Sequence, residues 1–502
     1  MPSSGEGNEV NSPVEHRTAA GNPLVSVEPS TSVDSSSAST SFKSRQRKSP
    51  SLRRRIATRL MRSLIAVLLG SLVLRLAAQT MTQMIQSYLE VISEKHYYIS
   101  YTTRGYVLAS FFVTELLGAL VLGAMSDRYG RKVFIILGPV LGAIAVQITS
   151  LTMVIWLLVF TRLLAGLSTG SSVPATLGYI SEATVGRPTL RARIIGLFDL
   201  TLVAGTAVGA VVGGYLWKYF SEPRTLAGIH LLSPAFSINA LIYIASLAIF
   251  AWGLRDIKRP GPAAPALRPA SPAAAAREKL GHYLVVIKSP AVWMFIPAWL
   301  SIFALIGLWS NNSVGLLTGK NRFPGQLLTG TITPEKYGNG FATLAFFFAV
   351  GLLAWSFVLG RYRKTSVMLV STGALFALLL TVYGLNHLGS FSNPFYYSLL
   401  GALLIEVLVL SGFTPAALTY LADATENYTA DRGSIMGLYS VFLGIGQLAG
   451  TAIGGRFAQW NGVDGLLLMS AVLSVITLVC LLALRRIEPL STGQRPPVND
   501  LQ

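Results

Sequence analysis

Arg75, Glu115, Arg162, Asp199 and Glu406 are charged side chains that fall within long apolar stretches of this sequence. An arginine or carboxylate in hydrocarbon costs about 2.5–3.5 kcal/mol on insertion scales, so it marks a cavity, a partner or a proton path. A carboxylate there can gain and lose a proton, and an arginine can hold a carboxylate through two hydrogen bonds. Glu406 shares its stretch with no basic residue and is the favoured titrating group. Glu115, Asp199 and Arg162 are the further proton-coupling candidates. Arg75 and Glu115 lie where they can pair, so a fixed ion pair between helices stays open for them. Asp199 is near enough to a stretch end to reach water.

The elements that must position these groups are helices crossing a membrane. Of the 502 residues 52% are hydrophobic and 12% charged, and mean hydropathy is +0.55. Soluble domains carry about 25% charged residues. About 20 apolar residues span about 30 Å of hydrocarbon. Twelve such spans are expected at approximately 62–88, 104–125, 133–152, 155–181, 194–217, 234–254, 291–315, 338–360, 367–386, 394–421, 433–457 and 464–484. Residues 1–58 read as a disordered tail, 59–254 as one six-helix bundle, 255–290 as a linker, 291–486 as a second bundle and 487–502 as a second tail. Of the 40 Lys and Arg, 30 fall on the tails and even-numbered connections and 8 on the other side. Both termini are therefore expected in the cytoplasm, in a multi-pass protein of the cell membrane facing anionic lipid.

The net charge of +18 does not point to nucleic acid, because it sits in short patches between apolar runs. Cys480 is the single cysteine and the five histidines are scattered, so no metal site is expected. Gly315 to Asn321 has the wrong spacing for a phosphate loop, so a gradient, not ATP, must supply energy. No nucleophile and base stand together, and an enzyme is not expected.

The two halves are related. At a constant offset of 241, Pro174 matches Pro415, Tyr179 matches Tyr420, Glu182 matches Asp423 and Arg191 matches Arg432. Gly205, Gly209, Gly213 and Gly214 meet Gly446, Gly450, Gly454 and Gly455 in the same register. Span 4-turn-5 is a duplicate of span 10-turn-11, which implies paired bundles with a site at their interface. At this offset Glu406 falls on Ala165, three residues from Arg162, so Arg162 and Glu406 are expected to face one interior from opposite halves.

Between spans 2 and 3 stands Gly123-Ala-Met-Ser-Asp127-Arg128-Tyr-Gly130-Arg131-Lys132. Here the chain resembles the major facilitator superfamily, whose signature in this turn is G-x-x-x-D-[RK]-x-G-R-[RK]. The resemblance implies an all-α fold of twelve helices in two pseudo-symmetric bundles that rock about a midplane site. It also implies a charge lock, with Asp127 at the positive N-terminus of span 11 and Arg128 and Arg131 reaching carboxylates or carbonyls. Gly360 stands where a second-half Asp127 would fall, so the lock is expected on one side only.

Gly205 to Gly214 resembles the G-x-x-x-G-P-x-x-G-G pattern of antiporters in the superfamily, with Ala210 in place of the proline. Plain helix packing explains the same spacing. Arg162 to Gly166 is similar to the family's span-4 Arg-x-x-x-Gly, linked to proton movement. Spans 1, 4, 7 and 10 line the cavity in this superfamily, which makes Arg75, Gln79, Trp309, Asn311 and Asn312 substrate-contact candidates. For the Asn pair, a break in span 7 or the outer rim stays open. The expected activity is proton-coupled export of small amphipathic or drug-like molecules by a monomer. Uptake of a small polar or anionic solute, with Arg75 and Arg162 as clamp, and lipid translocation are the alternatives.

Overall fold

The computed structural model describes residues 50–226, 228–255, 290–424 and 432–487. The first 49 residues, the linker 256–289, the turn 425–431 and the tail from 488 lie outside them. So do the side chains of Asp423, Arg432 and Gly433. The crossings belong to one compact unit that begins at Ala57.

Spans 1 to 9 are single helices: Pro50–Lys95, Tyr101–Tyr129, Arg131–Thr149, Ile155–Ala183, Pro188–Phe220, Pro234–Gly253, Pro290–Thr318, Pro334–Val358 and Lys364–Asn386. Their starts follow from local chemistry. Ser100 caps span 2 by accepting from the Thr103 amide at 3.1 Å, and prolines open spans 5, 6 and 8, where a missing N–H costs nothing. Gly130, at φ 105°, makes the sharp turn between spans 2 and 3, as its spacing implied.

Eleven helices among the described residues are long and apolar enough to cross a membrane, and the last of them supplies two crossings. Arg432–Ile487 loses helical geometry at Asn461 and Gly462, where φ turns to 54° at the glycine. Spans 11 and 12 meet there, four residues beyond the expected end of span 11. Span 10 is broken as well, into Phe395–Leu410 and Phe413–Ala424. Pro415 cannot donate back to Ser411, and the Trp355 indole of span 8 fills the gap beside Gly412. Trp355 Nε1 and Ser371 Oγ each donate to the Val409 carbonyl at 3.2 Å. Span 4, the duplicate of span 10, stays unbroken at the matching place. A short hairpin, β1 (Arg224–Leu226) and β2 (Ile229–Leu231), precedes span 6.

The glycine repeats explain how each bundle holds its inner helix. A methyl on Gly205 would stand 2.8 Å from the Leu72 carbonyl, and one on Gly209 2.5 Å from the Leu76 carbonyl. Gly213 similarly meets Gln83, so three glycines seat span 5 on span 1. In the second half Gly446, Gly450 and Gly454 seat span 11 on span 7, against Leu300, Ala304 and Asn312. The fourth glycine of each set touches the opposite half. Gly214 abuts the Pro334 carbonyl of span 8, and Gly455 the Tyr101 carbonyl of span 2. One turn away, Gly338 meets the Ala210 carbonyl and Gly105 the Thr451 carbonyl. Two equivalent seams, 5 on 8 and 11 on 2, therefore join the bundles.

Both seams lie at the end where span 1 finishes, here termed the far end; span 1 begins at the entry end. Lys218 pairs with Glu335 at 3.1 Å, Lys320 with Glu94 at 2.9 Å, and the Tyr101 amide donates to Gln459 at 2.7 Å. Gln86 Nε2 donates to the Ser310 carbonyl at 3.1 Å. Farther toward the entry end, Gly444 lies against Leu116 of the other half. The bundles are thus joined at the far end.

Candidate functional site

Backbone contact between spans 2 and 4 sets the first-half cluster. A side chain on Gly166 would overlap the Phe111 carbonyl, and one on Gly170 would stand 2.6 Å from the Glu115 carbonyl. Thr114 Oγ1 ties the two helices by donating to the Leu163 carbonyl at 2.5 Å. This fixes the helices that carry Glu115 and Arg162 against each other. Gly205 lets span 5 approach the Arg75 stem, and Arg75 Nε donates to Thr206 Oγ1 at 3.2 Å.

Arg75 and Glu115 make no ion pair among the described residues, so the fixed pair read from the sequence does not form in this state. The two remain close enough to act on each other electrostatically. Arg162 is 2% exposed and its guanidinium lies 5.6 Å over the Phe111 ring. Tyr243 of span 6, its ring seated against Gly142 of span 3, feels both Arg75 and Arg162. The cluster Arg75, Glu115, Arg162 and Tyr243 thus gathers spans 1, 2, 4 and 6 about one interior. Asp199 is exposed two turns from Thr206 on the same side of span 5, toward the entry end. Of these groups Tyr243 and Thr206 were missed in the sequence, where a buried tyrosine and a helical threonine carry no signal.

The second half departs from expectation. Glu406 does not meet Arg162. Its Oε1 accepts from Thr381 Oγ1 of span 9 at 2.8 Å, and its Oε2 is buried. The offset aligned the two on equivalent faces of their helices, but the break in span 10 and packing against span 9 direct Glu406 into its own bundle. Trp309 Nε1 donates to Ser470 Oγ of span 12 at 2.9 Å. Asn311 Nδ2 donates to Thr451 Oγ1 at 3.2 Å, and Asn312 Nδ2 to the Thr451 carbonyl at 3.3 Å. These three tie spans 7, 11 and 12 together. Gln79 packs beside Gly209 of span 5. Glu406→Gln should leave substrate-driven proton movement within about twofold of wild type and lower the melting temperature by only a few degrees, since one neutral hydrogen bond is worth about 1 kcal/mol. A vesicle flux assay with a thermal melt checks both.

The turn between spans 2 and 3 carries charge pairs within its own half, while the expected partner of Asp127 at the start of span 11 lies outside the described residues. Arg131 pairs with Asp127 and, through Nε, with Glu182 of span 4 at 3.2 Å. Gly178 leaves the space through which the Arg131 side chain crosses span 4, and Gly123 lies against Pro174. Arg128 is exposed over the Tyr129 ring, and Lys132 opens span 3. Asp127 is more than half exposed. At the far end the sequence also hid an ion pair. Arg104, counted as a loop charge, is buried in the first turn of span 2 and paired with Glu90 of span 1, beneath Gly315 and Gly319 of span 7.

The comparisons follow this geometry. The family model described as Major Facilitator Superfamily matches residues 60–330 and 326–500. Multidrug resistance protein 1 of Bacillus subtilis (strain 168) is 24% identical over 379 residues, covering 73% of this chain and 82% of the relative. The class C tetracycline resistance protein of Escherichia coli is 36% identical over 138 residues, covering 26% of this chain and 34% of that protein. Among solved structures, the nucleoside transporter NupG superposes with TM-score 0.58 at 14% identity over 84% of this chain and 98% of its own. A bacterial homologue of the human lysosomal transporter Spinster, in an inward-facing conformation, superposes with TM-score 0.61 at 15% identity, covering 85% and 97%. These two likenesses show the fold.

Proposed function

Because the chain belongs to the major facilitator superfamily, a family of membrane transporters and not enzymes, we propose that it exports small amphipathic molecules in exchange for protons. The observation that carries this reading is an intramembrane carboxylate, Glu115, within electrostatic reach of Arg75, in a first-half cluster that Tyr243 links to Arg162. The efflux relatives support the direction of transport, and the seams at the far end support alternating access. In this reading the entry end faces the cytoplasm, in keeping with the Lys and Arg bias, and the working unit is a monomer in the cell membrane.

Coupling follows from competition. A proton and a substrate bearing positive charge cannot both satisfy the Glu115 carboxylate, so binding one expels the other. The far end opens, the substrate leaves, Glu115 takes a proton from outside, and the return step delivers it inside.

A second reading is uptake of an anionic solute, and Arg162 favours it. An anion seated on the arginines is helped when Glu115 is protonated, so solute and proton would then travel together. The sign of the substrate charge thus sets the sign of the coupling.

The test is collapse of a preset pH gradient in everted vesicles on adding cationic, neutral or anionic amphipaths. Export predicts collapse by cations or neutral compounds that is absent from Glu115→Gln vesicles. Collapse equal in both would remove Glu115 from the path, and a response to anions alone would favour uptake.

A further inference from the structure

Two guanidiniums among the described residues are almost wholly buried, and they are treated differently. Arg104, 4% exposed, is paired with Glu90 and donates through Nε to the Ile99 carbonyl at 3.1 Å. Arg162, 2% exposed, has a buried Nε with no hydrogen-bond partner, and no carboxylate among the described residues stands within ion-pair distance of it. Its guanidinium faces the Phe111 ring at 5.6 Å. A buried guanidinium N–H without an acceptor is disfavoured, and a ring face replaces only part of what water or a carboxylate supplies.

The charges nearby do not correct this. Arg75 adds a second positive charge and Glu115 a single negative one, so the cluster is net positive even with Glu115 ionised. The Tyr243 hydroxyl lies within the field of both arginines and is a donor for an incoming oxygen. Spans 2 and 4 are fixed by direct backbone contact at Gly166 and Gly170, so span 4 cannot turn the face that carries Arg162 away without disrupting that packing.

We propose that Arg162, with Arg75 and Tyr243, binds an anion in the first-half interior. The shared chemistry is a compact negative group facing a planar fork of N–H donors. Its source is either a resident solution anion such as chloride or the acidic headgroup of the transported molecule. A resident anion would neutralise Arg162 and leave Glu115 to answer the charge of a cationic substrate. An acidic headgroup would make the substrate itself the missing acceptor. The proposal rests on the assignment of this cluster to the transport path, but its test needs no proton movement.

The test uses the full chain in lipid nanodiscs with gluconate as the background anion. Chloride and 1-naphthaleneacetate are titrated separately, with the neutral 1-naphthaleneacetamide as control, and the melting temperature is followed by tryptophan fluorescence. The expected result is a saturable rise with chloride or naphthaleneacetate, absent with the amide, and an apparent affinity at least about tenfold weaker in Arg162→Gln. Saturation by chloride alone identifies a resident ion; saturation by naphthaleneacetate identifies a headgroup, and both support the site. Should Arg162→Gln fail to fold, Arg162→Lys keeps the charge and removes the fork, and a weakening of about threefold or more is expected. No saturable rise in wild type, or equal affinity in the variant that folds, overturns the proposal. Saturable anion binding in a protein that moves no protons would retire the export reading and leave this one standing.

Discussion

Gly450→Val should yield almost no folded protein. The added Cβ would overlap the Ala304 carbonyl of span 7, and the struck atoms are backbone, which cannot move aside without parting spans 7 and 11. Overpacking a well-packed core costs about 1–3 kcal/mol even where side chains can shift, and here they cannot. A loss of about 3 kcal/mol or more is expected, read as a fall in detergent-stable yield and in melting temperature. Gly209→Val should behave alike, because its methyl would meet the Leu76 carbonyl of span 1 at 2.5 Å. Gly455→Ala is the contrast. Its methyl meets the Tyr101 carbonyl of the other half at 2.6 Å, so the bundles should fold but fail to close at the far end. If Gly450→Val melts like wild type, the duplicated glycines do not set the packing of spans 5 and 11.

Glu115→Gln should separate exchange from coupling. The amide keeps the size of the carboxylate and its place beside span 4, so the bundles still fold and substrate can still cross in both directions. It cannot exchange a proton. Substrate-driven proton movement should fall about 5–150-fold, the span of a 1–3 kcal/mol coupling between two ligands of one site. Counterflow of labelled substrate against unlabelled should persist. In wild type the apparent affinity for a cationic substrate should weaken as pH falls, since protons compete for Glu115, and in Glu115→Gln it should be flat. Coupled flux that survives the substitution would place the proton elsewhere, with Asp199 the next group in the same interior.

The twelve crossings and the offset between halves were legible in the sequence, because apolar length and repeated glycines are local signals; which helices the glycines bring together was not. The starts of spans 5 and 8, at Pro188 and Pro334, lie several residues outward of the expected ones, since polar first turns do not score as apolar, whereas span 6 begins at Pro234 as expected. The break in span 10 was not legible, although Gly412 and Pro415 were in view, because it also requires Trp355 from span 8. The site was less readable than the fold. Charges in apolar stretches were found correctly, but periodicity does not say which neighbouring helix a face meets. That is why Glu406 was set toward Arg162 and lies against Thr381, and why Asn311 and Asn312 were offered to a substrate and serve Thr451. Glu90 and Arg104 escaped because each lies near a span end, where charge is ordinary. Their burial comes from Gly315 and Gly319 of the opposite bundle.

The central claim is that the far end must part for transport. It is tested most directly by joining the bundles there. In a Cys480→Ser background, Glu94→Cys and Lys320→Cys replace partners that stand 2.9 Å apart across the seam, one of them largely exposed. A short bifunctional thiol reagent then links them, and substrate-driven proton movement is recorded before and after. Linking should lower that movement at least about tenfold and leave each single-cysteine protein unaffected, because the linked protein can open only at the entry end. Undiminished flux through fully linked protein would contradict it.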